Sequence, residues 1–191
     1  MQMNDYIRTY ENNLSSDFCE RLIEKFELDP NQEKGVVADG YRPDLKQSTD
    51  LCISQLDNWK EEDEYLFNSL KDPMLSYVGE LYMKSSNGFL SDPFDTGYQI
   101  QRTTPDQIGY NWHNDFSIGN DGRCHARIVT YIWYLNTIED GGETEFIDGT
   151  IIKPKQGDLV LFPATWVFAH RGNPPKTKNK YICTGWYNTY Y

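Results

Sequence analysis

Apolar positions in the first half of the chain recur at helical spacing, whereas those in the second half alternate or form short blocks. Tyr6-Ile7-Arg8-Thr9-Tyr10 reads as an opening strand. Ser15-Ser16-Asp17 forms an N-cap cluster, and Phe18, Leu22, Ile23 and Phe26 share one face. This predicts an amphipathic helix over 17–28, ending before Pro30. Residues 29–54 are polar and irregular, and Lys46-Gln47-Ser48-Thr49 reads as an edge strand or as part of a lid. Glu61-Glu62-Asp63-Glu64 is the solvated start of a second helix, with Trp59, Leu66 and Leu70 as its buried stripe. Asp72-Pro73 predicts a restart, Asp as N-cap and Pro at the first helical position, followed by a stripe of Leu75, Val78, Leu81 and Tyr82. Ser85-Ser86-Asn87-Gly88 closes the helical part.

From residue 97, β-branched and aromatic runs alternate with Gly, Pro, Asn and Asp turns. Strands are expected near 98–102, 110–116, 125–136, 143–147, 150–153, 158–163, 170–171 and 181–187. Helices followed by about eight strands predict an α+β fold. The expected core is a double-stranded β-helix (jelly roll) with the N-terminal helices packed on one sheet. One domain is expected over 1–191, with helical support over 1–90 and the jelly-roll core over 91–191.

Composition narrows the function. The 191 residues are 38% hydrophobic and 25% charged, ordinary for a soluble globular chain. A formal net charge of −11 weighs against a nucleic-acid partner, which needs clustered Lys and Arg. Cys19, Cys52, Cys124 and Cys183 are scattered without zinc-ligand spacing, so they read as reduced thiols in a cytoplasmic setting. The start shows no basic and apolar signal regions, and no apolar run reaches membrane-spanning length, so no membrane partner is expected.

The candidate chemistry lies in the β half. In a strand, residues i and i+2 share a face, so His113 and Asp115 can reach one metal while Asn114 points away. His170 is the best distant third ligand. Two His and one carboxylate form the facial triad of non-haem Fe(II) oxygenases. Three positions stay open, two for a bidentate 2-oxo acid and one for O₂. Lys180, Ile182, Thr184 and Trp186 share one face, suited to a carboxylate at the end of a carbon chain. In 125–136 the smaller even face (Ala126, Ile128, Thr130, Ile132, Tyr134) is expected to line the interior, opposite Arg127, Tyr131 and Trp133. Lys180, Tyr134 and Thr184 are therefore the candidate carboxylate-binding set. His125, beside Cys124, has no partner at ligand spacing and reads as a surface or strand-edge residue.

Three runs carry a specific likeness: Gly109-Tyr110-Asn111-Trp112-His113-Asn114-Asp115, Asp121-Gly122-Arg123-Cys124, and Ile132-Trp133-Tyr134-Leu135-Asn136. With Gly141-Gly142-Glu143-Thr144-Glu145-Phe146 and 153–162, they resemble the 2-oxoglutarate/Fe(II) prolyl hydroxylases, collagen-type and oxygen-sensing alike. By position, His113, Asp115 and His170 match the family's iron ligands. Lys180, Tyr134 and Thr184 match the residues that hold the distal carboxylate of 2-oxoglutarate. A Lys ten residues after the distal His is the collagen-type pattern; the oxygen-sensing branch uses Arg. Many relatives carry a Tyr about ten residues before the HxD, where this chain has Thr103-Thr104, with Tyr98 or Tyr110 as alternatives. The resemblance implies a dioxygenase using Fe(II) and 2-oxoglutarate, with ascorbate as reductant, that hydroxylates a C–H bond and releases succinate and CO₂. The first substrate choice is a prolyl residue in a peptide or protein. The alternatives are a free amino acid or small molecule, or a non-catalytic metal-binding β-sandwich. The oligomeric state is not legible.

Overall fold

The computed structural model describes residues 3–83, 91–120 and 122–190. The N-terminal part contains β1 (Arg8–Tyr10), α1 (Ser16–Leu28), β2 (Glu33–Lys34), β3 (Lys46–Gln47), β4 (Thr49–Cys52) and α2 (Lys60–Met83). Then come β5 (Ser91–Asp95), β6 (Gln99–Thr103), β7 (Gly109–His113), β8 (Ile118–Asn120) and β9 (Cys124–Tyr134). The last strands are β10 (Thr144–Phe146), β11 (Ile151–Ile152), β12 (Leu159–Pro163), β13 (His170–Gly172) and β14 (Lys180–Tyr190).

These strands make two antiparallel sheets facing each other, the expected jelly-roll core with helices on one side. The larger runs β1-β12-β9-β14-β6-β4-β2, with β5 added on β14 and β8 on β9; the smaller runs β11-β10-β13-β7-β3. Alternation along the central strands separates two cores. Tyr131, Trp133, Leu159, Leu161 and Cys183 face the helices, where they meet Phe18, Leu22, Phe26, Trp59 and Leu66. The intervening Ile132, Tyr134, Val160 and Phe162 face the smaller sheet and meet Phe146 and Phe168. The first ninety residues thus supply sheet edges as well as helices.

Helix α1 starts as its sequence predicts, with the Ser15 side chain accepting from the Phe18 N–H. The expected break at Asp72-Pro73 is absent: α2 runs through Pro73 as one helix of 24 residues. A proline there leaves the carbonyl four residues back without its helical donor. That carbonyl, on Ser69, instead accepts from Asn13 Nδ2 at 3.1 Å, and Tyr10 Oη donates to the Pro73 carbonyl at 3.2 Å. Tertiary contacts replace what proline removes. Because the helix is continuous, Leu66 and Leu70 continue as Met74 and Tyr77, and Leu75, expected inside, is exposed. The Ser85–Gly88 stretch lies outside the described residues.

Lys46-Gln47-Ser48-Thr49 forms strand in both sheets. β3 edges the smaller sheet on β7 and β4 pairs β6 in the larger, with Ser48 between them. A buried ion pair pins the crossing: Lys46 Nζ lies 2.6 Å from Asp50 Oδ2, and Ser48 Oγ donates to Asp50 Oδ1 at 2.6 Å.

Candidate active site

The two histidines meet because β7 and β13 are antiparallel neighbours, with His113 directly opposite His170. β7 ends at His113, where Asn114 Oδ1 accepts from the Phe116 N–H and turns the chain. Asp115 therefore lies beyond the strand, yet still converges with the histidines. His113 Nε2 is 3.8 Å from Asp115 Oδ1 and His170 Nε2 is 3.7 Å from Asp115 Oδ2; one donor atom from each residue lies within 4.8 Å of the others. Ligands that each sit about 2 Å from a shared ion have separations of this order.

The surroundings prepare the three side chains for a cation. His113 Nδ1 donates to the Asn111 carbonyl at 2.8 Å and His170 Nδ1 to the Phe168 carbonyl at 3.0 Å. A carbonyl only accepts, so both Nδ1 atoms carry hydrogen and both Nε2 atoms face the gap. Burial holds the His113 imidazolium down to about 4, helped by His170 and opposed by Asp115. Burial alone would raise the Asp115 carboxyl, but His170, His113 and a 2.7 Å hydrogen bond from Thr130 Oγ1 hold it below its usual value. Neutral imidazoles beside an ionised carboxylate are the forms that bind metal. Tyr110 stacks on His113 at 3.4 Å between centroids, and Phe146 and Phe162 pack on His170 at 5.6 and 4.9 Å.

The triad opens into a cavity of about 620 Å³ between the sheets. Lys180 and Thr184 line it from β14, as their shared face predicted. Lys180 is 6% exposed, and among the described residues no carboxylate lies within 4 Å of its ammonium. Burial lowers it to about 8, and only the more distant Glu143 opposes this. Thr184 Oγ1 donates to the Tyr131 carbonyl at 2.8 Å, so toward the cavity it is an acceptor. Tyr134 is fully buried between the sheets with its ring 5.7 Å from Lys180 Nζ, and its hydroxyl donates to Thr144 Oγ1 at 2.7 Å, so Thr144 stands between it and the cavity.

The expected even face of β9 is corrected. Thr130 and Ile132 line the cavity, but pairing with β14 jumps from Val129–Tyr187 to Arg127–Asn188. This bulge leaves Ile128 unpaired and inverts the faces before it. Ile128 joins the helix-side core, and Arg127 turns onto the Trp186 ring at 3.5 Å. Burial lowers the Arg127 guanidinium, and Asp115 and Tyr110 oppose that from across the cavity.

Of the two tyrosines offered in place of Thr103-Thr104, Tyr110 lines the cavity while Tyr98 belongs to the helix-side core. Burial pushes the Tyr110 phenol up to about 12, which keeps it a neutral donor. Gln101 and Thr103 also line the site from β6. Sequence reading missed Gln101, Thr130 and Thr144. Alternation carried a signal for Thr130, whose face was expected inside; no short motif marks Gln101.

The donor set and its spacing are those of a facial metal triad, with Lys180 lining the same cavity. Residues 98–188 match the model of the 2OG-Fe(II) oxygenase superfamily. No curated protein sequence matches the chain. Solved structures resemble it over nearly its whole length. A viral collagen prolyl hydroxylase from Paramecium bursaria Chlorella virus-1, in its 2OG complex, is 20% identical, with 96% of each chain covered and a TM-score of 0.66. A Pseudomonas putida prolyl-4-hydroxylase is 19% identical over 95% of this chain and 91% of that one, with a TM-score of 0.66. A Trichoplax adhaerens prolyl hydroxylase, in complex with a hypoxia inducible factor peptide fragment, is 20% identical over 97% and 85%, with a TM-score of 0.75. At these identities the likeness is one of fold.

Proposed function

We propose that this chain is a 2-oxoglutarate- and Fe(II)-dependent dioxygenase that hydroxylates a prolyl residue in a peptide or protein, with His113, Asp115 and His170 holding the iron. The observation that carries the reading is one cavity lined by the triad and by buried Lys180, which has no carboxylate partner among the described residues. Bound there, Fe(II) with 2-oxoglutarate and O₂ supplies the oxidising power for C–H hydroxylation, with release of succinate and CO₂. Ascorbate as reductant belongs to the same proposal.

The chain's own residues have separable tasks. Lys180 and the Thr144 hydroxyl meet the far carboxylate of the cosubstrate, one by charge and one by hydrogen bond. Thr130 holds Asp115, and the two backbone carbonyls hold the imidazoles, so the donor atoms are set before metal arrives. Arg127 and Trp186 offer N–H donors that suit a carbonyl next to the reacting carbon. Substrates named for the similar structures support a prolyl peptide as the first to try.

The test is a screen of proline-containing peptides and free amino acids for succinate release under Fe(II), 2-oxoglutarate and ascorbate, with product mass measured. Gain of one oxygen atom on a prolyl residue is the expected outcome. Oxidation of free amino acids alone refutes the peptide assignment.

A further inference from the structure

Gln99, Gln101 and Thr103 share the cavity-side face of β6. Ile100 between them enters the helix-side core, and Arg102 pairs with Glu27 of α1. Each glutamine lies in a row across the sheet, Asp50–Gln101–Ile182–Tyr134 and Cys52–Gln99–Thr184–Ile132. Asp50 is occupied by Lys46 and Ser48, so its carboxylate leaves the carboxamides free.

Gln101 lines the triad cavity. Gln99 lines a second cavity of about 520 Å³, with Cys52, Gln55 and Arg127. Thr184 and Trp186 belong to both, so the two adjoin as neighbouring lobes along β14. Gln101 Nε2 donates to Gln99 Oε1 at 2.6 Å, and Gln99 Nε2 to Cys52 Sγ at 3.2 Å. Gln101 Oε1 and the second hydrogen on each amide nitrogen have no protein partner among the described residues. At the wall between the lobes, Trp186 Nε1 is buried with no acceptor among the described residues.

We propose that the Gln99–Gln101 carboxamide pair reads the main-chain N–H and C=O of one residue of an extended polypeptide, next to the residue presented to the triad. A carboxamide carries the donor and acceptor of a secondary amide, so the pair can accept from a peptide N–H and donate to a peptide carbonyl. A neutral amide wall running from lobe to lobe matches a continuing main chain, and a free amino acid would leave it unused. The residue read must carry an N–H, so an N-alkylated residue is excluded there. The inference rests on the dioxygenase reading above and adds which part of the substrate is recognised.

The probe is the capped pentapeptide acetyl-Ala-Ala-Pro-Ala-Ala-amide and its single N-methyl variants. Binding is measured by calorimetry to enzyme loaded with Mn(II) and 2-oxoglutarate without oxygen. Losing these contacts corresponds to roughly tenfold in Kd. One N-methyl position is expected to weaken binding to the wild type by about that factor. Gln101→Met should weaken the parent peptide similarly and no longer distinguish it from that N-methyl variant. Gln99→Met is the second variant should the first fail to fold, judged by its melting curve. The amide-pair proposal alone is overturned if the wild type binds 2-oxoglutarate yet tolerates every N-methyl group, or holds the pentapeptide no better than free proline. Retained discrimination in the folded variants overturns it too. A wild type that binds no 2-oxoglutarate in the presence of metal sinks the dioxygenase reading, and the proposal falls with it.

Discussion

Replacing Lys180 by Met separates the cost of a buried cation from its use. Lys180 is 6% exposed, and burial brings it from 10.5 to about 8. That displacement corresponds to roughly 3 kcal/mol disfavouring the charged form. Below pH 8 both folded and unfolded chains carry the proton, so the ligand-free protein bears the whole cost. Between pH 8 and 10.5 the unfolded chain holds more protons, so stability rises with pH and the cost is relieved. Lys180→Met should therefore stabilise the ligand-free protein at pH 7 by about 1–3 kcal/mol and flatten that rise. The same substitution removes the charge offered to the dicarboxylate, a loss of about 2–5 kcal/mol, roughly 30-fold or more in affinity. Urea unfolding from pH 7 to 10.5 reads the first effect, and calorimetric titration of 2-oxoglutarate into Mn(II)-loaded protein the second. A variant that is no more stable and binds 2-oxoglutarate within threefold of wild type refutes the reasoning.

Asp115→Ala should abolish stoichiometric metal binding, and Thr130→Val, which removes one hydrogen bond to Asp115, should weaken it about tenfold, both read by metal titration. Lys46→Met alone should destabilise the fold by about 3–5 kcal/mol because it strands Asp50, whereas Lys46→Met with Asp50→Leu should recover most of that in urea unfolding. Gly185→Ala should cost about 1–3 kcal/mol in melting experiments, because its Cβ would stand 2.3 Å from both the Gly97 carbonyl oxygen and Tyr131 Oη. Metal-free protein should lose stability as pH falls from 6.5 to about 4, where the unfolded chain binds a proton that folded His113 refuses. Urea unfolding at stepped pH checks the last, and an unchanged midpoint across that range counts against it.

What could be read from sequence follows how local the causes are. Alternation placed His113, Lys180 and Thr184, because a strand fixes its faces at every second residue. The same rule failed at Arg127 and Ile128, because a bulge shifts parity and β9 carries no local mark of one. Pro73 argued for a helix break, and the remedy sits sixty residues away in Asn13, where no helical period can show it. Tyr134 was placed on the correct face, but only the fold reveals that Thr144 takes its hydroxyl. Lys46 was read only as part of an edge strand or lid; that it is buried with Asp50 depends on how the two sheets close.

The crossing at Ser48 has a consequence for what can enter. A strap that is strand in one sheet at residue 47 and in the other at residue 49 cannot lengthen, since each residue spans only about 3.5 Å. It ties the flank of the cavity between Tyr110 and Gln101, so the separation of the sheets there is set covalently rather than by the guest. Such an opening behaves as a calliper: it gauges thickness before any chemistry is sampled. A folded protein would gain entry only by offering a single strand of chain, a terminus or an unwound loop, to a gap whose width was fixed when the chain folded.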